Sequence, residues 1–129
     1  MKQIHDKEFE ALIAMPAPER YALFVRRVVD WQIVWSLRSP NGWTLMGDDN
    51  GTEVVPVWPH ERFAHTCADL KKHETAMAID LDDWLEKWLP GMSKDRRQVA
   101  VFPVPNGKGV VISPEQLKSD LLLERDQYD

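Results

Sequence analysis

Gly42-Trp43-Thr44-Leu45-Met46-Gly47-Asp48-Asp49-Asn50-Gly51-Thr52-Glu53-Val54-Val55-Pro56-Val57-Trp58-Pro59 is the stretch whose reading decides the fold. It reads as two short extended runs joined by a polar turn. Asn50-Gly51 is the dipeptide that best tolerates the positive φ angles of a tight hairpin, and alternating residues flank it. A tryptophan starts the first run, and the second ends in Trp58-Pro59, where the chain turns into a helix. Pro56 has no N–H to give a ladder, which places that strand at a sheet edge or at a bulge.

Upstream of the hairpin the period changes. From Ile33 it is two, with Ile33, Trp35 and Leu37 pointing one way and Val34, Ser36 and Arg38 the other. Ser39-Pro40-Asn41-Gly42 is a turn, so this strand and the hairpin form a three-stranded antiparallel meander. Before it, Tyr21, Phe24, Val25 and Val28 recur at helical spacing behind Pro18, a residue suited to a first helical turn. A short helix with Phe9, Leu12 and Ile13 precedes that one and ends at Pro16-Ala17-Pro18.

Downstream, Pro59 opens a helix expected to bury Phe63, Ala64 and Cys67, with Leu70 a further candidate. Asp80 is placed to cap the clearest helix, whose stripe is Leu81, Trp84, Leu85 and Trp88, and Pro90-Gly91 is expected to stop it. Val99, Val101 and Phe102 pair with Val110-Val111-Ile112 across a turn containing Asn106-Gly107. Ser113-Pro114-Glu115-Gln116 starts the last helix, which buries Leu117 and Leu121. The order ααβββααββα implies one α+β domain over 1–129: an antiparallel sheet, built from the meander and a C-terminal hairpin, with helices mainly on one face.

The 129 residues suit a single domain, and 43% apolar content with six tryptophans suffices for a core. A net charge of −5 argues against a general nucleic-acid binder, because neutralising phosphate takes clustered Lys and Arg. The single cysteine, Cys67, excludes an intramolecular disulfide framework and multi-cysteine zinc motifs. Met1 to Glu8 holds no apolar core of signal-peptide length, and no run is long enough to span a bilayer. A cytoplasmic protein that binds neither nucleic acid nor membrane is expected.

Several pieces taken together resemble a family of small bacterial proteins, domain of unknown function 2750. They are Glu19-Arg20-Tyr21 running into Asp30-Trp31, the Trp43 strand, Pro56-Val57-Trp58-Pro59, and the helix Leu81-Asp82-Asp83-Trp84-Leu85-Glu86-Lys87-Trp88-Leu89-Pro90. Val101-Phe102-Pro103 followed by Gly109-Val110-Val111-Ile112-Ser113-Pro114-Glu115-Gln116-Leu117 completes the set. The resemblance runs through nearly all of the chain from Glu19 onward, in the same order. It implies a compact single domain of a bacterial cytosol and transfers no catalytic or binding residue.

Candidate chemistry is sparse. Asp48-Asp49-Asn50-Gly51 lacks the alternating ligand spacing and distal Glu of a calcium loop and reads as a hairpin turn. His60 and His65, five apart on a helix from Pro59, are separated by about 500° and do not share a face, so no metal site is expected. Cys67 reads as a small buried hydrophobe. Asp80, Asp82, Asp83 and Glu86 could do acid–base work, but the first three occupy cap and first-turn positions where negative charge stabilises the helix. Ser113 is a helix cap, and Gly107-Lys108-Gly109 lies in a hairpin rather than in a phosphate loop. No cofactor is expected.

The tryptophans remain. Trp35, Trp84 and Trp88 fall on core stripes, whereas Trp43 and Trp58 end strands, where a large amphipathic ring can line a groove or anchor a partner. The expectation is a small non-enzymatic protein-binding module whose surface is formed by Trp43, Pro56, Trp58 and His60. Its partner is another protein or a second copy of the chain. An immunity-like or antitoxin-like inhibitor is one form such an acidic module takes. The alternative is a small enzyme or ligand-binding domain with a cleft near Trp58, His60 and Asp83.

Overall fold

A computed structural model describes residues 3–47 and 49–128, so Met1, Lys2, Asp48 and Asp129 lie outside the described residues. The chain begins with two helices, α1 (Asp6–Ile13) and α2 (Ala17–Trp31). Helix α2 has proline in its first turn and ends at Gln32 in the left-handed conformation. Its buried residues include Phe24, Val25 and Val28, the apolar face expected from their spacing.

Strands follow: β1 (Ile33–Ser39), β2 (Gly42–Trp43), β3 (Met46–Gly47) and β4 (Glu53–Val57). The α+β class is as the sequence implies, but the meander is divided. Strand β2 pairs with β1, Arg38 opposite Trp43, while β3 pairs with β4, Met46 opposite Val54. Thr44 still follows β1, its N–H donating to the Leu37 carbonyl at 2.9 Å, and the chain then crosses to β4. One extended run therefore serves two sheets, ordered β2-β1-β5 and β3-β4-β6-β7. The sheets meet where Trp35 and Trp58 exchange backbone hydrogen bonds of 3.0 and 2.8 Å.

Strand β5 (Thr75–Asp80) was not expected from the sequence, and it pairs with β1 along its whole length. Thr-Ala-Met-Ala-Ile-Asp is rich in helix formers, and it is the bare side of β1 that draws it into a ladder. Before β5 come α3 (Glu61–Thr66) and a single 3₁₀ turn at Leu70–Lys72.

Helix α4 runs from 81 to 94 as α-helical Leu81–Asp83, a π-helical segment Trp84–Trp88, and α-helical Leu89–Lys94. Asp80 stands at its N-cap without a side-chain cap bond, and Pro90-Gly91 does not stop the helix. The π segment explains this. Leu89 N–H reaches back five residues to the Trp84 carbonyl, so the ladder is already shifted where Pro90 would have broken it. Trp84 is fully buried, and its indole nitrogen meets no acceptor among the described residues.

Strand β6 (Gln98–Val101) pairs parallel with β4, Val55 opposite Val99, and antiparallel with β7 (Val110–Ile112). The second sheet is therefore mixed rather than antiparallel. Helix α5 (Pro114–Tyr128) closes the chain, with Ser113 Oγ accepting the Gln116 N–H at 3.1 Å as an N-cap should. Leu117 and Leu121 are fully buried in the common core with Phe24, Val57, Trp58, Phe63 and Trp84.

Candidate functional site

The four residues singled out by sequence take different places. Trp58 is 1% exposed, and its Nε1 donates to the Pro103 carbonyl at 2.8 Å. Pro56 is buried too. Strand β6 pairs with β4 on one side, while β3 reaches only Glu53 and Val54 on the other. At Pro56, β4 is therefore an edge of its sheet, as the missing N–H implies, but a covered one. Phe102 N–H donates to the Val57 carbonyl, so Val57 turns its polar groups to β6 and Pro56 turns its own the other way. On that side β3 has already ended, and Ser36 Oγ donates to the Pro56 carbonyl at 2.7 Å. The missing proline N–H thus falls where no strand needs it.

His60 is buried as the N-cap of α3, its Nδ1 accepting the Arg62 N–H at 3.1 Å. Because its backbone is extended, the helical rotation separating it from His65 does not apply, and both rings border one cleft of about 590 Å³ with Gln3 and Ile4. Among the described residues no group of three or more His, Cys, Asp or Glu is placed to hold a metal ion. Trp58 borders a different cleft, and Asp83 borders neither, pairing instead with Lys87 at 3.4 Å along α4. The enzyme-like trio is not brought together.

Trp43 is the residue around which surface features collect. It is half-buried, with its ring edge-on to Trp88 at 4.6 Å and the Arg38 guanidinium 5.4 Å from its centre. One cleft, of about 570 Å³, is lined by Trp43, Leu45 and Met46, by Pro56 and Trp58, and by residues 103–105. A second, of about 450 Å³, is lined by Trp43 and Leu45 with Val55, Trp88, Met92 and Arg97. Trp43 and Leu45 border both, forming the ridge between them. Leu45 is 38% exposed and Met46 44%.

Three further residues matter here that the sequence did not flag. Glu74 is buried in the wall of the larger cleft, where its carboxylate accepts from Thr44 Oγ1 at 2.7 Å and from Asp69 N–H at 2.8 Å. It ties the crossing segment to the loop before β5. Arg20, only 4% exposed, donates to the carbonyls of Met15, of Phe102 at 3.0 Å and of Lys108 at 2.9 Å. It thereby fixes Phe102, which adopts a left-handed backbone with φ 57° that bulky residues avoid. Leu45 leaves a sequence signal: the period of two puts Trp43 and Leu45 on one face and Thr44 and Met46 on the other, so adjacent apolar residues at 45 and 46 do not fit one half-buried strand. Arg20 and Glu74 carry no local signal, since their partners are distant carbonyls and a turn.

Cys67, at the end of α3, also borders the larger cleft. Burial pushes its thiol up to about 11, against a hydrogen bond from Trp58 and the Arg20 charge, both of which lower it. The thiol donates to the Pro103 carbonyl at 3.5 Å. A group so held stays protonated near neutrality and is a poor nucleophile. No helix among the described residues is long and apolar enough to cross a membrane.

No curated protein and no solved structure matches the chain. A family model does match, over residues 21–121, from the start of the α2 apolar face to Leu121 in the core. The chain therefore belongs to the family described as Protein of unknown function (DUF2750).

Proposed function

We propose that this protein is a non-enzymatic protein-binding module of the bacterial cytosol and that the ridge of Trp43, Leu45 and Met46 is its binding surface. The observation that carries this reading is the ridge itself. Two large apolar side chains, 38% and 44% exposed, lie beside a half-buried tryptophan, with a cleft of mixed apolar and polar lining on either side. Exposed apolar surface of this kind is kept by proteins that cover it with a partner, and Trp and Met are enriched where they do so. The ridge is also flexible in side chain and fixed in backbone: Met46 adapts its shape, while the crossing segment is held by Thr44 and Glu74. Cys67, which borders the larger cleft, is held as a thiol, which favours binding over thiolate chemistry there.

The test compares capture from the native host by the wild-type chain, by Leu45→Glu and by Leu123→Glu. Leu123 is 60% exposed on α5 and borders neither cleft, so it controls for added surface charge. The expected result is a specific protein lost about tenfold or more with Leu45→Glu and retained with Leu123→Glu. Equal capture by both variants removes the ridge from consideration.

A further inference from the structure

We infer that the chain self-associates through the free edge of β5, two copies pairing antiparallel about a two-fold axis at Ala78. Strand β5 is the terminal strand of its sheet. The ladder with β1 fixes which of its backbone groups are free. Trp35 exchanges its backbone hydrogen bonds with Trp58, so it turns away from β5, and Leu81 N–H donates to Gln32 O at 3.0 Å. Hydrogen bonding alternates along an antiparallel pair, so Val34, Ser36 and Arg38 bond to Ile79, Met77 and Thr75. The N–H and C=O groups of Ala76, Ala78 and Asp80 therefore point outward. Among the described residues no backbone group outside the sheet and the first turn of α4, which Asp80 precedes as N-cap, bonds to them.

Edges like this are normally blunted by proline, lysine or a bulge. Thr75–Asp80 contains none of these, and its register with β1 is unbroken over six residues. Ala78 and Asp80 are exposed and Ala76 is half-buried, so small side chains leave the edge open.

The occupant follows from the spacing of the free groups. A second β5 can use all three outward residues when Ala78 faces Ala78 of the second copy and Ala76 faces its Asp80. Met77 then lies opposite Ile79 of the second copy, an apolar pair, and Asp80 meets an alanine rather than another acid. The strand is thus complementary to itself in charge and size, and two-fold pairing joins β2-β1-β5 to its copy in one continuous sheet. None of Ala76, Ala78 and Asp80 borders the clefts at Trp43, so this surface is separate from the proposed binding ridge.

Substitutions can address the outward groups alone. Ala78→Pro removes an outward N–H without removing a bond to β1, which is the position an edge proline tolerates. The full-length chain is examined by sedimentation equilibrium across a wide concentration range, with far-UV circular dichroism and urea unfolding as checks on the fold. The expected result is a concentration-dependent dimer that Ala78→Pro converts to a monomer. Ala78→Cys gives an independent reading. Opposed residues of a hydrogen-bonded pair have Cα atoms about 5.5 Å apart, within disulfide range. Oxidation should therefore link Ala78→Cys into covalent dimers and leave Ala76→Cys, whose counterpart is Asp80, mostly unlinked. A wild-type chain that stays monomeric overturns the inference, even if its edge takes up a strand of another protein. So does a dimer that survives Ala78→Pro, or equal linking by the two cysteine variants.

Discussion

The indole nitrogen of Trp58 donates to the backbone carbonyl of Pro103 at 2.8 Å, across 45 residues of sequence. That bond joins the end of β4 to the loop after β6, and the Cys67 thiol shares the same acceptor. Trp84 is as deeply buried, yet its indole N–H has no partner among the described residues. The two tryptophans thus offer a matched comparison. Replacing either by phenylalanine removes a similar volume, but Trp58→Phe also breaks a buried hydrogen bond, whereas Trp84→Phe removes an unsatisfied donor. Urea unfolding should show Trp58→Phe to be less stable than Trp84→Phe by about 1–3 kcal/mol. Equal losses would mean that the Trp58 bond contributes nothing net.

Arg20 shows what one buried cation can hold. Its guanidinium serves the carbonyls of Met15, Phe102 and Lys108 and lies 5.9 Å from the centre of the Phe102 ring. Desolvation lowers its pKa from the ordinary value without discharging it. Arg20→Met keeps the apolar stem but leaves those carbonyls short of donors, at a cost of about 3–5 kcal/mol in urea unfolding. Arg20→Lys should recover only part of that loss, because an ammonium cannot present the same planar fork. Full recovery would show that charge, and not geometry, is what the site needs.

What was legible in the sequence were the features built from neighbours. The α2 stripe, the pairing of Val99 and Val101 with β7 and the Ser113 cap depend on local spacing and on residues a few places apart, and these form as read, whereas Phe102 leaves the strand with φ 57°. Long-range pairing was not legible. Nothing near Val55 announces that its parallel partner is Val99, and nothing in Thr75–Asp80 outweighs its helix-forming composition until β1 lies beside it. Pro56 lies at a sheet edge, as its missing N–H implies, but nothing nearby announces that Ser36 covers that side from another sheet. The candidate surface fared similarly. Trp43 sits on the ridge, whereas Trp58, Pro56 and His60 are buried, because a residue at a strand end is exposed or covered according to what packs there later.

Two glycines differ in what surrounds them. A Cβ built on Gly109 would lie 2.2 Å from the Val101 carbonyl oxygen, while one on Gly91 meets nothing within 4 Å. Gly109→Ala must push apart the β6–β7 hairpin, and a loss above about 3 kcal/mol or failure to fold is expected. Gly91 lies inside α4, where alanine should stabilise by about 0.5–1 kcal/mol. Thermal unfolding of both variants checks this, and a tolerated Gly109→Ala would require a different path for the chain beside Val101.

Cys67 links the larger cleft to alkaline stability. Its pKa rises from the ordinary value of 9.0 to about 11, chiefly by burial. In the unfolded chain the thiol ionises near 9, while the folded protein holds its proton until about 11. Between those values the native state binds more protons than the unfolded state, so stability falls as pH rises. The contribution is complete below pH 9 and gone above about 11. Comparing wild type with Cys67→Ala isolates it: the urea midpoint of the wild type should decline more steeply across this window, and the two should run parallel below it. Reactivity gives a second reading of the same quantity. Near pH 8 the thiolate fraction of folded Cys67 is about a hundredfold below that of the unfolded thiol, and iodoacetamide should alkylate the native protein correspondingly slowly. Fast alkylation of the folded chain at that pH would show that the cleft admits water to the sulfur, and the case for Cys67 as an inert wall of the binding surface would fail.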